Sequence, residues 1–249
     1  MASLFERIFD DPSKFTFITE NLGECKVESP VKNTNFVEED DMYSLLSVRA
    51  SYVQEFVKKY GAAPKLESAG PHRKIFHDPS ATRAAIVTAG GLCPGLNNVI
   101  KGLVEVLTFS YGIKTIYGFR YGYAGLIPEF GYEPMLLTPD KVDTIHEWGG
   151  TLLGSSRGQQ DTTRMVDTLE RMGINVLFAI GGDGSLRCAR DVSNECRRRG
   201  LKISVVGIPK TIDNDLHFVG RTFGFETAVA AAVPAIRSAH SEALGAHYG

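Results

Sequence analysis

The sequence predicts an α/β fold, a parallel sheet with helices on both faces, preceded by an N-terminal extension. From residue 82 onward, short apolar runs typical of strands alternate with stretches in which apolar residues recur at helical spacing. This order of elements builds parallel sheets that are covered on both faces. Two of the strand-like runs lead into glycine pairs, Gly90-Gly91 and Gly181-Gly182. We expect both pairs at the carboxyl edge of the sheet, where Rossmann-like folds bind their ligands.

Composition excludes several classes of protein. The chain has 249 residues, a formal net charge of −2 and 43% hydrophobic residues, the balance of a soluble globular protein. It lacks the basic surplus that nucleic-acid binding requires, so no nucleic-acid partner is expected. No apolar run approaches the ~18 residues of a membrane span, so no membrane partner is expected either. The four cysteines form no CxxC pair. We predict a cytoplasmic location, with a glycosome-like compartment as the alternative.

The first 80 residues form the extension. The stretch contains an acidic run and is interrupted by prolines. Apolar side chains at helical spacing, Val53 and Phe56 among them, predict one helix from about Met42 to Tyr60. Gly61 would end that helix. We interpret the extension as a segment that packs on the core or on a partner subunit.

The remaining elements follow in strict alternation. The Asp161 or Thr162 side chain can cap the second predicted helix of this region. The predicted elements are a strand at 84–88, a helix around 99–107, a strand at 114–119, a helix at 162–172, a strand at 175–180, a helix at 185–199, a strand at 202–208 and a helix from about 226.

The segment Gly181–Ser185 carries the strongest chemical signal. Its glycines follow a predicted strand and precede a predicted helix, so backbone amides can approach a phosphate at the helix N-terminus. Asp183 is well placed to hold Mg²⁺ against phosphate oxygens. The alternative is an ordinary strand-to-helix turn without a ligand.

The segment Pro209–Asp215 follows another predicted strand and reaches the same edge of the sheet. A general base for a hydroxyl has to lie near the donor phosphate and stay ionised. Asp213 fits that role, and Thr211 fits as a hydroxyl that positions a sugar. An Asx-type turn is the alternative interpretation.

Two further loops carry weaker signals. The Gly90-Gly91 turn would let the backbone approach phosphates, but it matches neither the dinucleotide fingerprint nor the P-loop. Arg157, in a loop rich in glycine and serine, can contact polyphosphate oxygens or lie in solvent. Cys93 has no histidine or other base nearby in sequence, which argues against a nucleophile.

Taken together, Gly181–Ser185 and Pro209–Asp215 give the chain a resemblance to the phosphofructokinase family. The Gly90 turn and the segments Gly122–Leu126 and Gly154–Arg157 match the same pattern in the same order. The resemblance implies a glycolytic enzyme that transfers a phosphoryl group from ATP or pyrophosphate to the 1-hydroxyl of fructose 6-phosphate, with Mg²⁺. It also implies an allosteric homo-oligomer, usually a tetramer.

The resemblance implies roles for individual residues as well. Asp183 would hold the magnesium, Asp213 would accept the proton of the hydroxyl, and Lys210 would stabilise transferring charge. The residues expected to contact the donor are Gly90, Arg157, Gly158, Gly182, Asp183, Gly184 and Ser185. The residues expected to meet the sugar are Thr211, Ile212, Asp213 and Asp215.

Two positions bear on the choice of donor. In this family a glycine at the position of Gly184 leaves room for the ATP α-phosphate, whereas pyrophosphate users tend to carry an aspartate there. Lys210 is similar to the lysine of the pyrophosphate-dependent branch. The combination resembles an ATP-using subgroup of trypanosomatid or plant-like type that is related to pyrophosphate enzymes. We therefore predict an ATP-dependent 6-phosphofructokinase that yields fructose 1,6-bisphosphate and ADP.

The resemblance also predicts the domain organisation. We assign residues 1–80 to the extension, 81–230 to the donor-binding domain and 231–249 to the start of the fructose 6-phosphate domain. Family chains continue further, so we expect this chain to lack the C-terminal part of the fold. The alternatives are a pyrophosphate-dependent phosphofructokinase and a truncated, non-catalytic nucleotide-binding or regulatory subunit. NAD and lipid kinases share the Gly-Gly-Asp-Gly turn, but Pro209–Asp215 argues against them.

Overall fold

The computed structural model describes residues 8, 10, 11, 21–32, 34–37, 43–47, 49–216 and 219–248. The chain divides into two compact units, Met1–Asp78 and Pro79–Gly249. Across the described residues, no helix has the length and apolar character needed to cross a membrane.

The first unit contains two short antiparallel strand pairs and one helix. Its elements are β1 (Val27–Glu28), β2 (Tyr43–Leu45), α1 (Ala50–Tyr60), β3 (Lys65–Glu67) and β4 (Lys74–Ile75). Strand β1 pairs with β4, and β2 pairs with β3. Buried Leu46 and Phe56 pack together with Ile8 in this unit.

The helix predicted from about Met42 to Tyr60 was wrong in its first part. Residues 43–45 are extended and pair with β3, and the helix begins only at Ala50. The pairing with a strand some twenty residues away overrides the local helical signal. Met42 itself lies outside the described residues. The predicted end is confirmed, because Gly61 is left-handed at φ 78° and its N–H bonds to the Val57 carbonyl.

The second unit is the predicted α/β domain. Its main elements are β5 (Arg83–Thr88), α2 (Leu96–Glu105), β6 (Thr115–Phe119), β7 (Met135–Leu136), α3 (Pro139–Val142), α4 (Thr162–Arg171), β8 (Val176–Gly181), α5 (Asp183–Arg198), β9 (Ser204–Pro209) and α6 (Phe225–Gly245). The strand order is β7-β6-β5-β8-β9. All neighbouring pairs are parallel except β6 with β7. The antiparallel edge strand was not predicted, because two residues carry no readable periodicity.

Strand β5 lies at the centre of the sheet, and its residues from Ala84 to Thr88 are buried. Alternate side chains enter two cores on opposite faces, which explains the unbroken apolar run. On one face Ala85 and Val87 pack with residues of α4 and α5. On the other face Ala84 and Ile86 pack with residues of α2.

Three helix ends differ from the prediction or refine it. Helix α2 passes into a π-helical turn at Val106–Ser110, within the range predicted as one helix, and Val106 is 50% exposed. Helix α4 is capped as predicted, since the Asp161 carboxylate accepts hydrogen bonds from the backbone of Thr163 and Arg164. Helix α5 begins at Asp183, two residues before the predicted start at Ser185. Asp183 and Gly184 therefore belong to a helical turn and not to a loop.

Helix α6 closes the described chain. None of its described residues is buried, although the helix is rich in alanine and carries several branched apolar side chains. The predicted domain boundary at residue 230 falls within α6 and stays a prediction.

Gly181 offers a test of this packing. A Cβ at that position would lie 2.3 Å from the Ser185 Cβ and 3.0 Å from the Ala89 carbonyl oxygen. We expect Gly181→Ala to lower the free energy of unfolding by about 2 kcal/mol, because the first turn of α5 has to move away. Urea unfolding followed by the fluorescence of the single tryptophan, Trp148, measures the change.

Gly184→Ala is the matched control. Apart from the adjacent residues and the backbone of its own helix, no described atom lies within 4 Å of its Cβ position, and alanine is favoured over glycine inside a helix. This variant should be as stable as the parent or slightly more stable. Equal unfolding midpoints for the two variants would contradict the packing argument.

Candidate functional site

Three neighbouring strands end side by side and place their following turns together. Thr88, at the end of β5, lies opposite Ile180 of β8, and Gly181 lies opposite Pro209 at the end of β9. The turns after these strands therefore share the carboxyl edge of the sheet, as predicted.

A cleft of about 550 Å³ lies at this edge. All of the predicted donor-binding residues line it, and so does Lys210. The residues of this donor cleft that the sequence had predicted are Gly90, Arg157, Gly158, Gly182, Asp183, Gly184, Ser185 and Lys210. The structure thus brings together segments that are far apart along the chain.

The turn after β8 requires a glycine at position 181. Gly181 has no room for a Cβ, and this close approach brings the Ser185 side chain onto the end of the strand. Gly182 is extended and precedes the first turn of α5. The Tyr123 hydroxyl donates a hydrogen bond of 2.7 Å to the Ser185 carbonyl and fixes this turn from the other side. The backbone N–H groups of the first turn of α5 lie at the positive end of the helix dipole, which favours an anionic ligand.

The turn after β5 is joined to the loop that carries Arg157. Gly90 is left-handed at φ 84°, and its N–H donates to the Ser156 carbonyl at 3.1 Å. The Ser155 hydroxyl donates to the Gly90 carbonyl. The Arg157 guanidinium lies beside Gly91, with Nη2 3.8 Å from the position that a Cβ there would occupy. The hydrogen bonds hold the backbone before Arg157, while its side chain stays exposed at the cleft.

Lys210 supplies a buried cation to the donor cleft. It is only 5% exposed, and its ammonium group donates a hydrogen bond to the Gly91 carbonyl. Its backbone N–H donates to the Gly181 carbonyl at 3.0 Å. Burial, together with the nearby Arg157 guanidinium, lowers the pKa of Lys210 from its ordinary value. An anionic ligand in the cleft would stabilise both positive charges.

The predicted sugar-binding residues lie in the loop that follows Lys210, which we call the acceptor loop (residues 211–215). The Thr211 hydroxyl donates to the Asp215 carboxylate at 2.6 Å, and the Asp213 N–H donates to the Thr211 hydroxyl oxygen at 3.1 Å. Ile212, Asp213 and Asp215 are exposed. None of the acceptor-loop residues lines the donor cleft. The loop is joined to the cleft directly by Lys210.

Asp183 is the carboxylate of the cleft that fits a divalent cation best. It is exposed in the first turn of α5, and Gly182 and Gly184 flank it without side chains. Across the described residues, no group of three or more His, Cys, Asp or Glu side chains forms a metal cage. This arrangement suits a cation that takes one carboxylate from the protein and most of its ligands from phosphate and water, as Mg²⁺ does.

Sequence reasoning missed the wall of the cleft that α5 provides. Arg187, Cys188, Arg190 and Asp191 line it, and Tyr123 faces them. The sequence does contain a signal for this wall, because Arg187 and Arg190 follow Asp183 by four and seven residues and therefore share its helix face. The Arg190 guanidinium pairs with Asp191 at 3.1 Å, whereas among the described residues no ion pair engages Arg187.

The Cys93 thiol serves packing, in line with the interpretation favoured above. It is 2% exposed and lies 3.1 Å from the Phe223 carbonyl oxygen, to which it donates. Burial raises its pKa, although the Lys210 ammonium opposes the shift. A thiol with these surroundings is a poor nucleophile.

The fold and the cleft define a class of protein. Glycine-rich turns, a helix N-terminus and a buried lysine that meet at the edge of a parallel sheet form a phosphate-binding α/β domain. The profile of the family described as phosphofructokinase matches residues 83–248. The chain belongs to the phosphofructokinase family, and the predicted family is confirmed.

Individual relatives agree with this assignment. A Trypanosoma cruzi protein named ATP-dependent 6-phosphofructokinase is 52% identical over 183 residues, which cover 74% of this chain and 38% of that protein. A protein of the same name from Borreliella burgdorferi is 45% identical over 240 residues, which cover 94% of this chain and 53% of that protein. The chain thus spans about half the length, or less, of these relatives.

A solved structure shares the fold. The crystal structure of a pyrophosphate-dependent phosphofructokinase from Marinobacter aquaeolei superposes with a TM-score of 0.52 at 27% identity. The match covers 58% of this chain and 37% of that one. The predicted α/β architecture is confirmed.

Cys188 gives a pH-dependent test of the cleft wall. Burial and the neighbouring Asp191 carboxylate raise the pKa of its thiol to about 11. Because the thiolate is the reactive species, iodoacetamide should alkylate Cys188 slowly at pH 8 and about 100-fold faster at pH 10. Peptide mass spectrometry over time measures both rates. Exposed Cys25 is the internal control, and alkylation of Cys188 at the rate of Cys25 at pH 8 would refute the described environment.

Proposed function

We propose that this chain is the donor-binding part of an ATP-dependent 6-phosphofructokinase. The observation that carries the proposal is the convergence of all the predicted donor-binding residues on a single cleft. The reaction transfers the γ-phosphoryl group of ATP to the 1-hydroxyl of fructose 6-phosphate and yields fructose 1,6-bisphosphate and ADP. The names of the T. cruzi and B. burgdorferi relatives support ATP as the donor.

The residues of the cleft divide the work of phosphoryl transfer, which is mainly positioning and charge stabilisation. Backbone amides of the first turn of α5 receive the donor phosphates, and Gly90, which has no side chain, leaves room for them beside its turn. Asp183 holds Mg²⁺, which when bound neutralises charge on the phosphate oxygens. Lys210 stabilises the charge on the transferring group, since its ammonium is buried at the junction of the turns.

The acceptor loop supplies the base. Asp213 accepts the proton of the sugar 1-hydroxyl, and Thr211, Ile212 and Asp215 contact the sugar. The exposure of the Asp213 carboxylate supports this role, because a base has to reach the hydroxyl whose proton it accepts. Fructose 6-phosphate is the proposed acceptor by relationship to the family.

Pyrophosphate is the second candidate donor. Lys210 resembles the lysine of pyrophosphate-dependent enzymes, and the M. aquaeolei structure is one of these. Two features favour ATP instead. No described atom lies within 4 Å of a Cβ built on Gly184, which leaves space for a nucleotide, and Arg187 and Arg190 extend the cleft along α5. We further propose that the enzyme is a homotetramer, that it is regulated allosterically and that it lies in the cytoplasm.

The donor assignment is tested by calorimetric titration of the chain with ATP or pyrophosphate in the presence of Mg²⁺. We expect Gly184→Asp to weaken ATP binding by about tenfold or more, because a carboxylate there fills the space and repels phosphate. Pyrophosphate binding should change much less. Gly184→Ala, which adds only a methyl group in open space, is the matched control. Equal losses for both ligands would exclude Gly184 as the donor selector.

The catalytic assignment is tested with Asp213→Asn, which keeps the shape of the side chain and removes its basicity. With ATP, fructose 6-phosphate and Mg²⁺, we expect the rate of fructose 1,6-bisphosphate formation to fall by about 10²- to 10⁴-fold. Binding of ATP should remain within twofold of the parent. A variant that transfers phosphate as fast as the parent would show that Asp213 is not the base.

A further inference from the structure

A short segment after the acceptor loop contacts both halves of the candidate site. We call residues 222–224 the strap. Among the described residues it contacts the acceptor loop through Thr222, and it contacts the turn that follows Gly91 through Phe223 and Gly224. Sequence analysis assigned no role to any of the three.

The contact with the acceptor loop is made by a buried hydroxyl. Thr222 is 6% exposed. Its Oγ1 lies 3.0 Å from the Asn214 side-chain oxygen and 3.3 Å from the Thr211 carbonyl oxygen, so one proton serves two acceptors. The Thr222 N–H donates to the same Asn214 oxygen at 2.8 Å. These two donors fix which atom of the Asn214 amide faces the strap.

Asn214, which accepts these hydrogen bonds, directly follows Asp213. Asn214 is left-handed at φ 53°, a conformation that asparagine adopts more readily than most residues. The backbone therefore bends beside the proposed base, and Thr222 holds it there through the Asn214 side chain. The Thr211 carbonyl, on the other side of Asp213, is bound by the same hydroxyl.

The other end of the strap is pressed against the donor turn. The Phe223 carbonyl accepts the hydrogen bond of the Cys93 thiol. Gly224 is left-handed at φ 87°, and a Cβ on it would lie 2.3 Å from the Pro94 carbonyl oxygen and 2.4 Å from the Cys93 sulfur. A side chain could not be accommodated there without displacing the turn.

We infer that Thr222 is a positioning residue, which sets the acceptor loop and its Asp213 carboxylate against the donor turn. The inference rests on the proposed function, in which Asp213 is the base. The strap then couples the place where the hydroxyl loses its proton to the place where the donor phosphates lie, and Thr222 is its side-chain contact with the acceptor loop. Displacement of a reacting group by about 1 Å lowers rates by roughly 100-fold. The hydrogen bonds of Thr222 therefore act on the rate of phosphoryl transfer and not on the affinity for the donor.

The experiment compares Thr222→Val with Thr222→Ser in the full 249-residue chain. Valine keeps the shape and removes the hydroxyl donor, whereas serine keeps the hydroxyl. The first measurement is amide hydrogen exchange at Asp213, whose N–H donates within the acceptor loop. We expect exchange about tenfold faster in Thr222→Val, in keeping with the loss of one hydrogen bond, and near-parent exchange in Thr222→Ser.

The second measurement is kinetic. We expect Thr222→Val to lower kcat by roughly 10- to 100-fold with KM for ATP within twofold, and Thr222→Ser to restore kcat. Asn214→Gly, which keeps the left-handed backbone and removes the acceptor, should behave like Thr222→Val. Faster Asp213 exchange in Thr222→Val with unchanged kcat would overturn the inference. Equal losses of kcat in Thr222→Val and Thr222→Ser would overturn it as well.

The two proposals fail in different ways. A parent chain that binds neither ATP nor pyrophosphate contradicts the proposed function of the chain. The exchange measurement still decides whether Thr222 orders the acceptor loop, because it needs no turnover. Unchanged Asp213 exchange in Thr222→Val, with the variant folded as judged by its tryptophan fluorescence, would overturn the positioning role alone.

Discussion

A buried cation is the interaction on which the candidate site depends. Lys210 directly follows strand β9, donates its backbone N–H to the Gly181 carbonyl at the end of β8 and donates its ammonium to the turn after β5. Burying a charge is costly unless it is hydrogen-bonded and paired. One carbonyl satisfies only part of the ammonium group, and Arg157 adds like charge. An anion bound in the cleft would offset both charges, so the residue that joins the three turns would also favour the binding of phosphate there.

The glycines of the site serve packing as much as ligand approach. Gly181 lets the first turn of α5 lie against the end of β8, and Gly224 lets the strap lie against Pro94. Both contacts are too close for any side chain, so they fix distances between segments that share no regular hydrogen bonding. Gly184 differs from both, because the space beside it is open. The space at Gly184 is open to a ligand, as the proposed function requires, while the other two glycines leave room for the protein itself.

The sequence predicted the parts of the fold that rest on local signals. The central strands β5 and β8 were found because burial on both faces demands continuous apolar runs. The edge strand β9 was also predicted from its apolar run, although none of its residues is buried. The early start of α5 was missed because Gly182 precedes it, whereas the rules for helix starts favour Ser185. The strap was missed for another reason. Thr222 and Phe223 acquire their importance only from tertiary partners, up to 130 residues away in the case of Cys93 and Phe223, and no spacing within the sequence records such contacts.

Gly184 and Lys210 pointed to different donors in the sequence, the first to ATP and the second to pyrophosphate, and the two residues lie in different parts of the cleft. Lys210 faces the Gly91 carbonyl at the junction of the strand ends, where the phosphates that react would lie with either donor. Gly184 belongs to the first turn of α5, on the wall that Arg187 and Arg190 continue. A short donor would need only the junction, whereas a nucleotide would also need the wall. On the proposed function, Lys210 would therefore be neutral in the choice, and selection would fall to Gly184 and the arginines beyond it. A lysine shared with pyrophosphate enzymes would then be compatible with ATP.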